Sequence, residues 1–256
     1  MQDEISGGVE PDAARVSEVE HAAAMTWPAS TVQHRGGWLL RYCADLDRWR
    51  SNSALPPSRV RDVAAEIEQV VRFYSERGAR ASVQVSPSRW HEELDVGLAA
   101  RGFRQVTPVH VLTAELPGPG DVPAAGVEVR LDDEPMRRWL DASSAVRGRS
   151  EPGLARIDRP ARYATALLDG VAAGIGLFVR EGRWCAVYCM ATAPWARGRG
   201  VARAVLRAGA RWAGEVRASG MFLQVEQDND AARRLYAGCG FEFSHEYHYR
   251  VADTRG

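Results

Sequence analysis

Residues 192–202 combine a strand end, two glycines and three nearby arginines in a pattern that suits anion binding. Pro194 prevents the strand from continuing, and a helix is predicted to begin at Gly200. A turn through Gly198 and Gly200 leaves backbone N–H groups unpaired at the helix N-terminus, where they can bind a phosphate or diphosphate without a lysine. Positive charge at the same end comes from Arg197, Arg199 and Arg203. Taken alone, the segment is equally compatible with an ordinary glycine turn flanked by solvated arginines.

A second candidate segment, residues 223–241, lies one helix and one strand further along the chain. Asp228 or Asn229 can cap the N-terminus of a short helix. Asn229 and Tyr236 are seven residues apart, about two helical turns, so both lie on one face of that helix. Ala232 lies between them and is small enough to leave room for a ligand.

Together the two segments resemble the motifs of the GNAT (general N-acetyltransferase) superfamily. The pyrophosphate loop of that superfamily, (Gln/Arg)-x-x-Gly-x-(Gly/Ala), is matched by Arg197-x-x-Gly200-x-Ala202. Its second motif is matched by Asn229-x-x-Ala232-x-x-Leu235-Tyr236-x-x-x-Gly240-Phe241. Each pattern is loose alone, but their order and separation make the resemblance specific, and it covers residues 127–251.

The resemblance implies an acyltransferase that takes an acetyl group from acetyl-CoA and uses no metal. The backbone of residues 190–192 would pair with the pantetheine arm like an added strand, and amides of the glycine turn would hold the diphosphate. Asn229 would contact the pantetheine or the far end of the coenzyme, and Tyr236 would protonate the departing thiolate. The alternative for Tyr236 is a half-buried core tyrosine. The coenzyme-binding residues implied are Met190, Ala191, Thr192, Arg197, Gly198, Arg199, Gly200, Val201, Ala202, Arg203 and Asn229.

The general base is not assigned, because the carboxylates that members of the superfamily use are missing here. Gln224 stands five residues before Asn229, where members that acetylate protein N-termini often have Glu, and residues 183–192 contain no carboxylate. Candidates are Glu226, His245 and His248, each of which can also be structural or solvated; a water chain or an already deprotonated acceptor would serve too. Transfer would be direct, by attack of the amine on the thioester in a ternary complex. A covalent route through Cys189 lacks a neighbouring group in the sequence that would lower the thiol pKa.

Three prolines and three glycines fall within residues 116–126 and divide the chain almost in half. The predicted organisation is a degenerate GNAT-like domain at 1–116, a linker at 117–126 and a catalytic domain at 127–256. The predicted fold class is α/β with a mixed sheet, as two GNAT-like domains in tandem. Strands are predicted at 37–43, 48–54, 81–86, 103–116, 127–130, 163–168, 171–180, 183–192, 221–227 and 241–251. Helices are predicted at 58–77, 89–101, 134–146, 200–218 and 229–237. A two-residue turn at Asp169-Gly170 is predicted to join strands 163–168 and 171–180 as a hairpin. One face of the helix at 200–218 is predicted to carry Val201, Val205, Ala208, Trp212 and Val216.

The two halves show traces of an internal duplication. Residues 81–85 parallel residues 221–225, and Gly102-Phe103 parallels Gly240-Phe241. Residues 56–61 lack the glycines of a pyrophosphate loop, so coenzyme is not expected to bind in the N-terminal half. Tandem arrangements with one silent half occur in the superfamily, mycothiol synthase being one. Such a half would stabilise the active one and help to wall the acceptor pocket, with Arg50, Asn52 and Ser53 as candidate contributors that are more easily explained as structural.

Composition narrows the choice of partners. The 33 basic and 33 acidic residues balance, no lysine is present, and no global field favours nucleic acid. No apolar run approaches the roughly 20 residues of a membrane span, and residues 1–20 lack the pattern of a signal peptide, so a cytoplasmic location is expected. The four cysteines, Cys43, Cys185, Cys189 and Cys239, lack zinc-ligand spacing and are interpreted as reduced.

The expected acceptor is a small-molecule amine, and the expected assembly is a monomer or homodimer. Two alternatives remain open: a GNAT-fold transferase whose donor is an aminoacyl-tRNA or an acyl carrier protein, and a CoA-binding regulator without turnover. Residues 143–162 lie where such folds cover the acceptor, and their arginines suggest an acceptor with a carboxylate or phosphate. A solvated loop is the alternative. The arginines concerned are Arg147, Arg149, Arg156, Arg159 and Arg162.

Overall fold

A computed structural model describes residues 12–27, 29–116, 126–147 and 152–253 of the chain. Within these residues six α-helices pack on one sheet of eleven strands. The helices are α1 (Ala13–Thr26), α2 (Val63–Ser75), α3 (Glu92–Ala100), α4 (Arg137–Arg147), α5 (Val201–Glu215) and α6 (Asp230–Ala237). The strands are β1 (Thr31–Arg35), β2 (Trp38–Tyr42), β3 (Ala54–Leu55), β4 (Ser82–Val85), β5 (Phe103–Glu115), β6 (Val127–Asp132), β7 (Ala161–Leu168), β8 (Val171–Glu181), β9 (Trp184–Thr192), β10 (Gly220–Glu226) and β11 (Glu242–Ala252).

The halves exchange their last strands. The sheet order is β1-β2-β3-β4-β11-β5-β10-β9-β8-β7-β6, so β5 lies beside β10 and β11 lies beside β4. β4 pairs parallel with β3 and antiparallel with β11. In the same way, β10 pairs parallel with β9 and antiparallel with β5. This matched pairing agrees with the predicted duplication of residues 81–85 and 221–225. The mixed α/β sheet is confirmed, whereas the division into two domains stays a prediction, and residues 117–125 of its linker lie outside the described residues.

Two faces of the sheet carry separate cores. α5 covers one face, where β7, β8 and β10 contribute small and aliphatic side chains. α1 and α4 cover the other face, where several tyrosines and tryptophans pack among aliphatic side chains. α5 lies close to β8 because glycines replace side chains at the contact: a Cβ on Gly209 would come within 2.1 Å of the Phe178 ring, and one on Gly176 within 2.6 Å of Val205 Cγ1. These close approaches fix the helix whose N-terminus was predicted to bind the diphosphate.

Asp95 on α3 anchors the exchanged strand β11 to the N-terminal half. Its Oδ1 lies 2.6 Å from His248 Nε2 and accepts from Arg250 Nε at 2.7 Å, and its Oδ2 accepts from Arg250 Nη2 at 2.7 Å. Burial alone would raise the pKa of Asp95, but the hydrogen bonds from Arg250 and His248 outweigh it and hold the pKa below its usual value of 3.8.

We expect Asp95→Asn to lower the free energy of unfolding by about 1.5–3 kcal/mol at pH 7, since hydrogen bonds to a charged group are lost. Because the folded-state pKa of Asp95 is depressed, this contribution is present above the unfolded pKa and disappears as the pH falls through the folded pKa. Urea unfolding at pH 7 and at about pH 3 measures both effects. Asp253→Asn, which removes a more exposed ion pair between the residue just after β11 and Arg104 on β5, is the matched control. Equal losses in the two variants would contradict the prediction.

The C-terminal half follows the predicted elements closely. The turn between β7 and β8 has φ values of 53° at Asp169 and 80° at Gly170, as a two-residue hairpin turn requires. α5 begins at Val201 and buries four residues of the predicted face, Val201, Val205, Ala208 and Trp212. The fifth, Val216, is the half-buried C-cap. α4 begins at Arg137 rather than at residue 134, two residues beyond Pro135.

Several predictions for the N-terminal half were wrong. The strand predicted at 48–54 is a 3-10 turn, Trp49–Ser51, followed by the two-residue β3. Asn52 causes this, because its side chain accepts from Cys43 N at 2.8 Å and donates to the carbonyl oxygens of Leu46 and Arg48, which closes a loop.

Helix starts in the same half also differ. The helix predicted from residue 58 begins at Val63, because Asp62 Oδ1 accepts from Ala65 N at 3.0 Å and caps it there. The helix predicted from residue 89 begins at Glu92, after a 3-10 turn, Ser88–Trp90. Two elements were not predicted at all, α1 and β1. Among the described residues no helix is long and apolar enough to span a membrane.

Candidate active site

The parallel strands β9 and β10 separate at their C-terminal ends. They pair only through Gly220 with Trp184, Met221 with Cys185, and Phe222 with Ala186. Beyond that point β9 continues to Thr192 along β8, and β10 continues to Glu226 along β5. The gap is a crevice at the carboxyl ends of two parallel strands, the position where open α/β sheets bind ligands. It leaves the β10-facing edge of residues 190–192 without a strand partner from β10, as an added pantetheine strand would need.

Backbone bulges on both sides of the crevice carry left-handed residues. Cys189 on β9 has a φ of 54°, where the register with β8 jumps between Ile175 and Leu177. Thr107 on β5 has a φ of 51°, where the register with β11 jumps between Tyr247 and Tyr249. A positive φ is strained for residues other than glycine, such as Thr107 and Cys189, and strain of this kind is concentrated at functional sites.

A cavity of about 520 Å³ fills the crevice. Both halves of the chain contribute to its wall, as the prediction of a walling role for the N-terminal half requires. From the C-terminal half it is lined by Val187, Tyr188, Cys189, Met190, Gln224, Val225, Glu226, Asn229, Ala232, Tyr236, Tyr247 and Tyr249. From the N-terminal half it is lined by Trp27, Arg48, Trp49, Arg50, Thr107 and Val109.

The N-terminus of α5 is open. Gly198 and Gly200 have φ values of 75° and 78°, and Gly200 caps the helix without a side-chain hydrogen bond. The first intrahelical bond comes from Ala204 N to Gly200 O at 3.0 Å, so the preceding amides of the helix have no partner within the helix. The α2 terminus differs, since Glu66 Oε1 accepts from Arg61 N and Asp62 N at 3.1 and 3.2 Å. Carboxylates there take the place that a phosphate would need, in line with the prediction of a silent half.

The predicted coenzyme residues fall into three groups. Met190 and Asn229 line the cavity, and the half-buried Ala191 and Thr192 follow along β9. Arg197 and Arg203 are exposed, and Arg199 Nη2 lies 3.4 Å from Asp169 Oδ2. The Val201 side chain is buried in the core, so only its amide is available to a ligand, and Gly198, Gly200 and Ala202 complete the turn and the first helical residues.

α6 places Asn229 and Tyr236 on the cavity side, as their spacing predicted. Asn229 Oδ1 accepts from Ala232 N at 3.1 Å, which confirms a helix cap at this residue. Tyr236 is 9 % exposed and its ring meets Phe241 edge-on at a centroid distance of 5.9 Å. Burial raises the pKa of Tyr236 to about 12, so the hydroxyl keeps its proton at neutral pH and can act as a donor.

The three candidates for the general base differ in burial, in hydrogen-bond partners and in whether they line the cavity. His245 is buried and its Nε2 lies 2.7 Å from Glu20 Oε1, within a network that also holds Ser86. His248 is engaged with Asp95. Glu226 is exposed and, among the described residues, is the one carboxylate that lines the cavity.

The arginines of residues 143–162 have structural roles where the structure describes them. Arg156 pairs with Asp45, Arg159 Nε lies 2.5 Å from Glu181 Oε2, and the Arg162 guanidinium lies 5.4 Å from the centre of the Trp212 ring. None of these three lines the cavity in the described part of the chain, so the proposed acceptor role for them is not supported. Arg149 and the side chain of Arg147 lie outside the described residues.

Sequence reasoning missed most of the aromatic wall of the cavity. Trp27 and Trp49 come from α1 and the 3-10 turn of the N-terminal half, and Tyr247 and Tyr249 come from the exchanged strand β11. No local pattern marks them, because they meet only through non-local strand pairing. Of the N-terminal candidates, Arg50 lines the cavity, whereas Asn52 closes its loop and Ser53 binds the buried Arg41.

Comparison with known proteins agrees with this geometry. The family described as "Probable histone acetyltransferase Rv0428c C-terminal" matches residues 13–250 of the chain. The protein belongs to this family of acetyltransferases, within the GNAT superfamily, and is an acyltransferase enzyme.

Relatives of similar length support the assignment. The chain is 26 % identical over 247 residues to "Uncharacterized N-acetyltransferase YobR" of Bacillus subtilis, covering 92 % of this chain and 98 % of the relative. Its fold is similar to that of a GCN5-related N-acetyltransferase from Kribbella flavida, with a TM-score of 0.71, 17 % identity and coverage of 93 % and 96 % of the two chains. It is also similar to a tandem GNAT protein from the clavulanic acid biosynthesis pathway, with a TM-score of 0.62, 12 % identity and coverage of 95 % and 90 %.

Proposed function

We propose that this enzyme transfers the acetyl group of acetyl-CoA to the amine of a small-molecule acceptor by direct attack in a ternary complex. One observation carries the proposal: the crevice between β9 and β10 has a protonated tyrosine in its wall, and β9, which forms one side of it, leads through a glycine turn to the open N-terminus of α5. The cavity of about 520 Å³ is large enough for a small acceptor beside the thioester arm.

Three parts of the chain would divide the work of transfer. Amides from Gly198 to Arg203 hold the diphosphate, helped by the dipole of α5 and the arginines around it. The free edge of β9 aligns the thioester, and its amides stabilise the oxyanion that forms when the amine attacks. Tyr236 then donates its proton to the departing thiolate as the C–S bond breaks.

We place Glu226 as the group that takes the proton from the attacking amine, directly or through a water molecule. We expect Glu226→Gln to lower kcat/KM about 10- to 100-fold at neutral pH, because the amide cannot accept that proton. Glu242→Gln, an exposed carboxylate at the start of β11, is the matched control and should leave the rate unchanged. Steady-state rates of thiol release measure both variants. If Glu226→Gln keeps the wild-type rate, the acceptor loses its proton elsewhere.

The proposed function itself is tested in two steps. Acetyl-CoA should raise the melting temperature, by an amount set by its excess over the dissociation constant. Release of free thiol with a panel of amines then separates an enzyme that uses acetyl-CoA from a CoA-binding regulator without turnover. If acetyl-CoA neither stabilises the protein nor is consumed, while a charged tRNA or an acyl carrier protein is discharged, the donor is a different acyl carrier.

A further inference from the structure

Arg50 presents a cation to the cavity without an anionic partner in the protein. It lies in the 3-10 turn Trp49–Ser51 of the N-terminal half and lines the cavity. Its Nε is buried without a hydrogen-bond partner, and no hydrogen bond or ion pair engages its guanidinium within the described residues. Burying a charge without an ion-pair partner costs free energy. Such a charge is therefore expected where a bound ligand supplies the missing partner.

Aromatic rings hold this guanidinium in place. Arg50 Cζ lies 5.0 Å from the centre of the Tyr188 ring and 6.0 Å from that of Trp27. The Tyr188 hydroxyl is itself fixed by a 2.7 Å hydrogen bond with Thr26 Oγ1, and the two rings meet edge-on at 5.3 Å. Contacts with ring faces position a guanidinium but leave its N–H donors free, so the fork remains open towards the cavity.

Arg50 lies on the side of the sheet away from the diphosphate loop. Tyr188, on which it stacks, belongs to the core that α1 and α4 cover, together with Trp27. Met190 and Tyr236 belong to the opposite core, which α5 covers. Tyr188 also precedes Thr192 by four residues along β9. The coenzyme therefore approaches from the α5 side of the gap between β9 and β10, and the space beside Arg50 is left for the acceptor.

We infer that the acceptor is an amine that also carries a carboxylate, and that Arg50 binds this carboxylate while the amine faces the thioester. The inference rests on the proposed function, since it assigns the substrate class of the same site. One unpaired guanidinium matches one carboxylate in charge, and its fork accepts both oxygens. A phosphate dianion would be repelled more strongly than a carboxylate by Glu226, which lines the same cavity.

Matched acceptors test this directly. A panel of small primary amines is prepared with each member as the free carboxylate, the carboxamide and the analogue without the carboxyl group. For wild-type enzyme we expect kcat/KM to be about 10- to 100-fold higher for the carboxylate than for the carboxamide, the range that one hydrogen-bonded charge supplies. Arg50→Gln should abolish this preference, because kcat/KM falls about 10- to 100-fold more for the carboxylate than for the carboxamide. Arg211→Gln, an exposed arginine on α5, is the control and should keep the preference.

Each result bears on the inference. Equal use of carboxylate and carboxamide by the wild type, or a preference that survives Arg50→Gln, overturns it. Stabilisation by acetyl-CoA checks that the variant is folded; if it is not, Arg50→Lys decides, since a reduced preference supports the inference and an unreduced one contradicts it. If the wild-type enzyme fails to release thiol with every amine of the panel, the proposed function and this inference are both overturned. If it releases thiol at the same rate with and without a carboxylate on the amine, this inference alone is overturned.

Discussion

Replacing Tyr236 with Phe is expected to lower kcat about 100- to 10,000-fold with little change in the dissociation constant of acetyl-CoA, the range for removal of a general acid. The hydroxyl is the only group that the substitution removes. No hydrogen bond within the described residues engages that hydroxyl, and the edge-on contact with Phe241 survives in the variant. The lost rate would therefore report the proton donated to the thiolate rather than a disturbed core.

The pH dependence of kcat gives a second test of the role of Tyr236. Because burial raises the pKa of Tyr236 to about 12, the acid form persists across the neutral and mildly alkaline range, and Tyr236 should cause no fall in kcat below about pH 11. Tyr42→Phe, a half-buried tyrosine on β2 outside the cavity, is the matched control and should keep the wild-type kcat. A Tyr236→Phe enzyme with wild-type kcat would show that the thiolate leaves unprotonated or takes its proton from another donor.

Local signals predicted the elements around the glycine turn and Tyr236 well. The Asp169-Gly170 turn, the buried face of α5 and the cap at Asn229 each depend on residues within one or two turns of one another. Steric limits on φ and the spacing of apolar residues act at that range, so the sequence carries them directly. The glycine turn and Tyr236 can therefore be assigned to their elements from local sequence alone.

The cavity wall around Arg50 could not be predicted in the same way. Strand β5 (Phe103–Glu115) pairs with β10 and β11, which lie more than 100 residues later in the sequence. The hydrophobic periodicity of a strand does not indicate which other strand it pairs with. α1 escaped prediction because alanines and the buried Glu20 give it no clear polar face. No sequence pattern marks Arg50 as a ligand-binding residue, because its aromatic neighbours come from the C-cap of α1 and from β9, which meet only in the folded chain.

Gly198→Ala is expected to weaken acetyl-CoA binding about 10- to 100-fold, equivalent to losing one hydrogen bond to a charged group. A Cβ at this residue would meet no protein atom within 4 Å, so it would project into open space beside the turn. That is the space from which a diphosphate must approach the unpaired amides of α5. Calorimetric titration with acetyl-CoA measures the loss.

Backbone strain is the competing cause of such a loss, and Gly102→Ala controls for it. Gly102 has a φ of 80°, against 75° for Gly198, and a Cβ there also meets nothing within 4 Å. Both variants should therefore lose about 1–2 kcal/mol of stability from the left-handed conformation. Only Gly198→Ala should lose coenzyme affinity, because only its turn precedes the open helix N-terminus. If the two variants bind acetyl-CoA equally well, the diphosphate is held elsewhere, and the assignment of this turn as the coenzyme site is wrong.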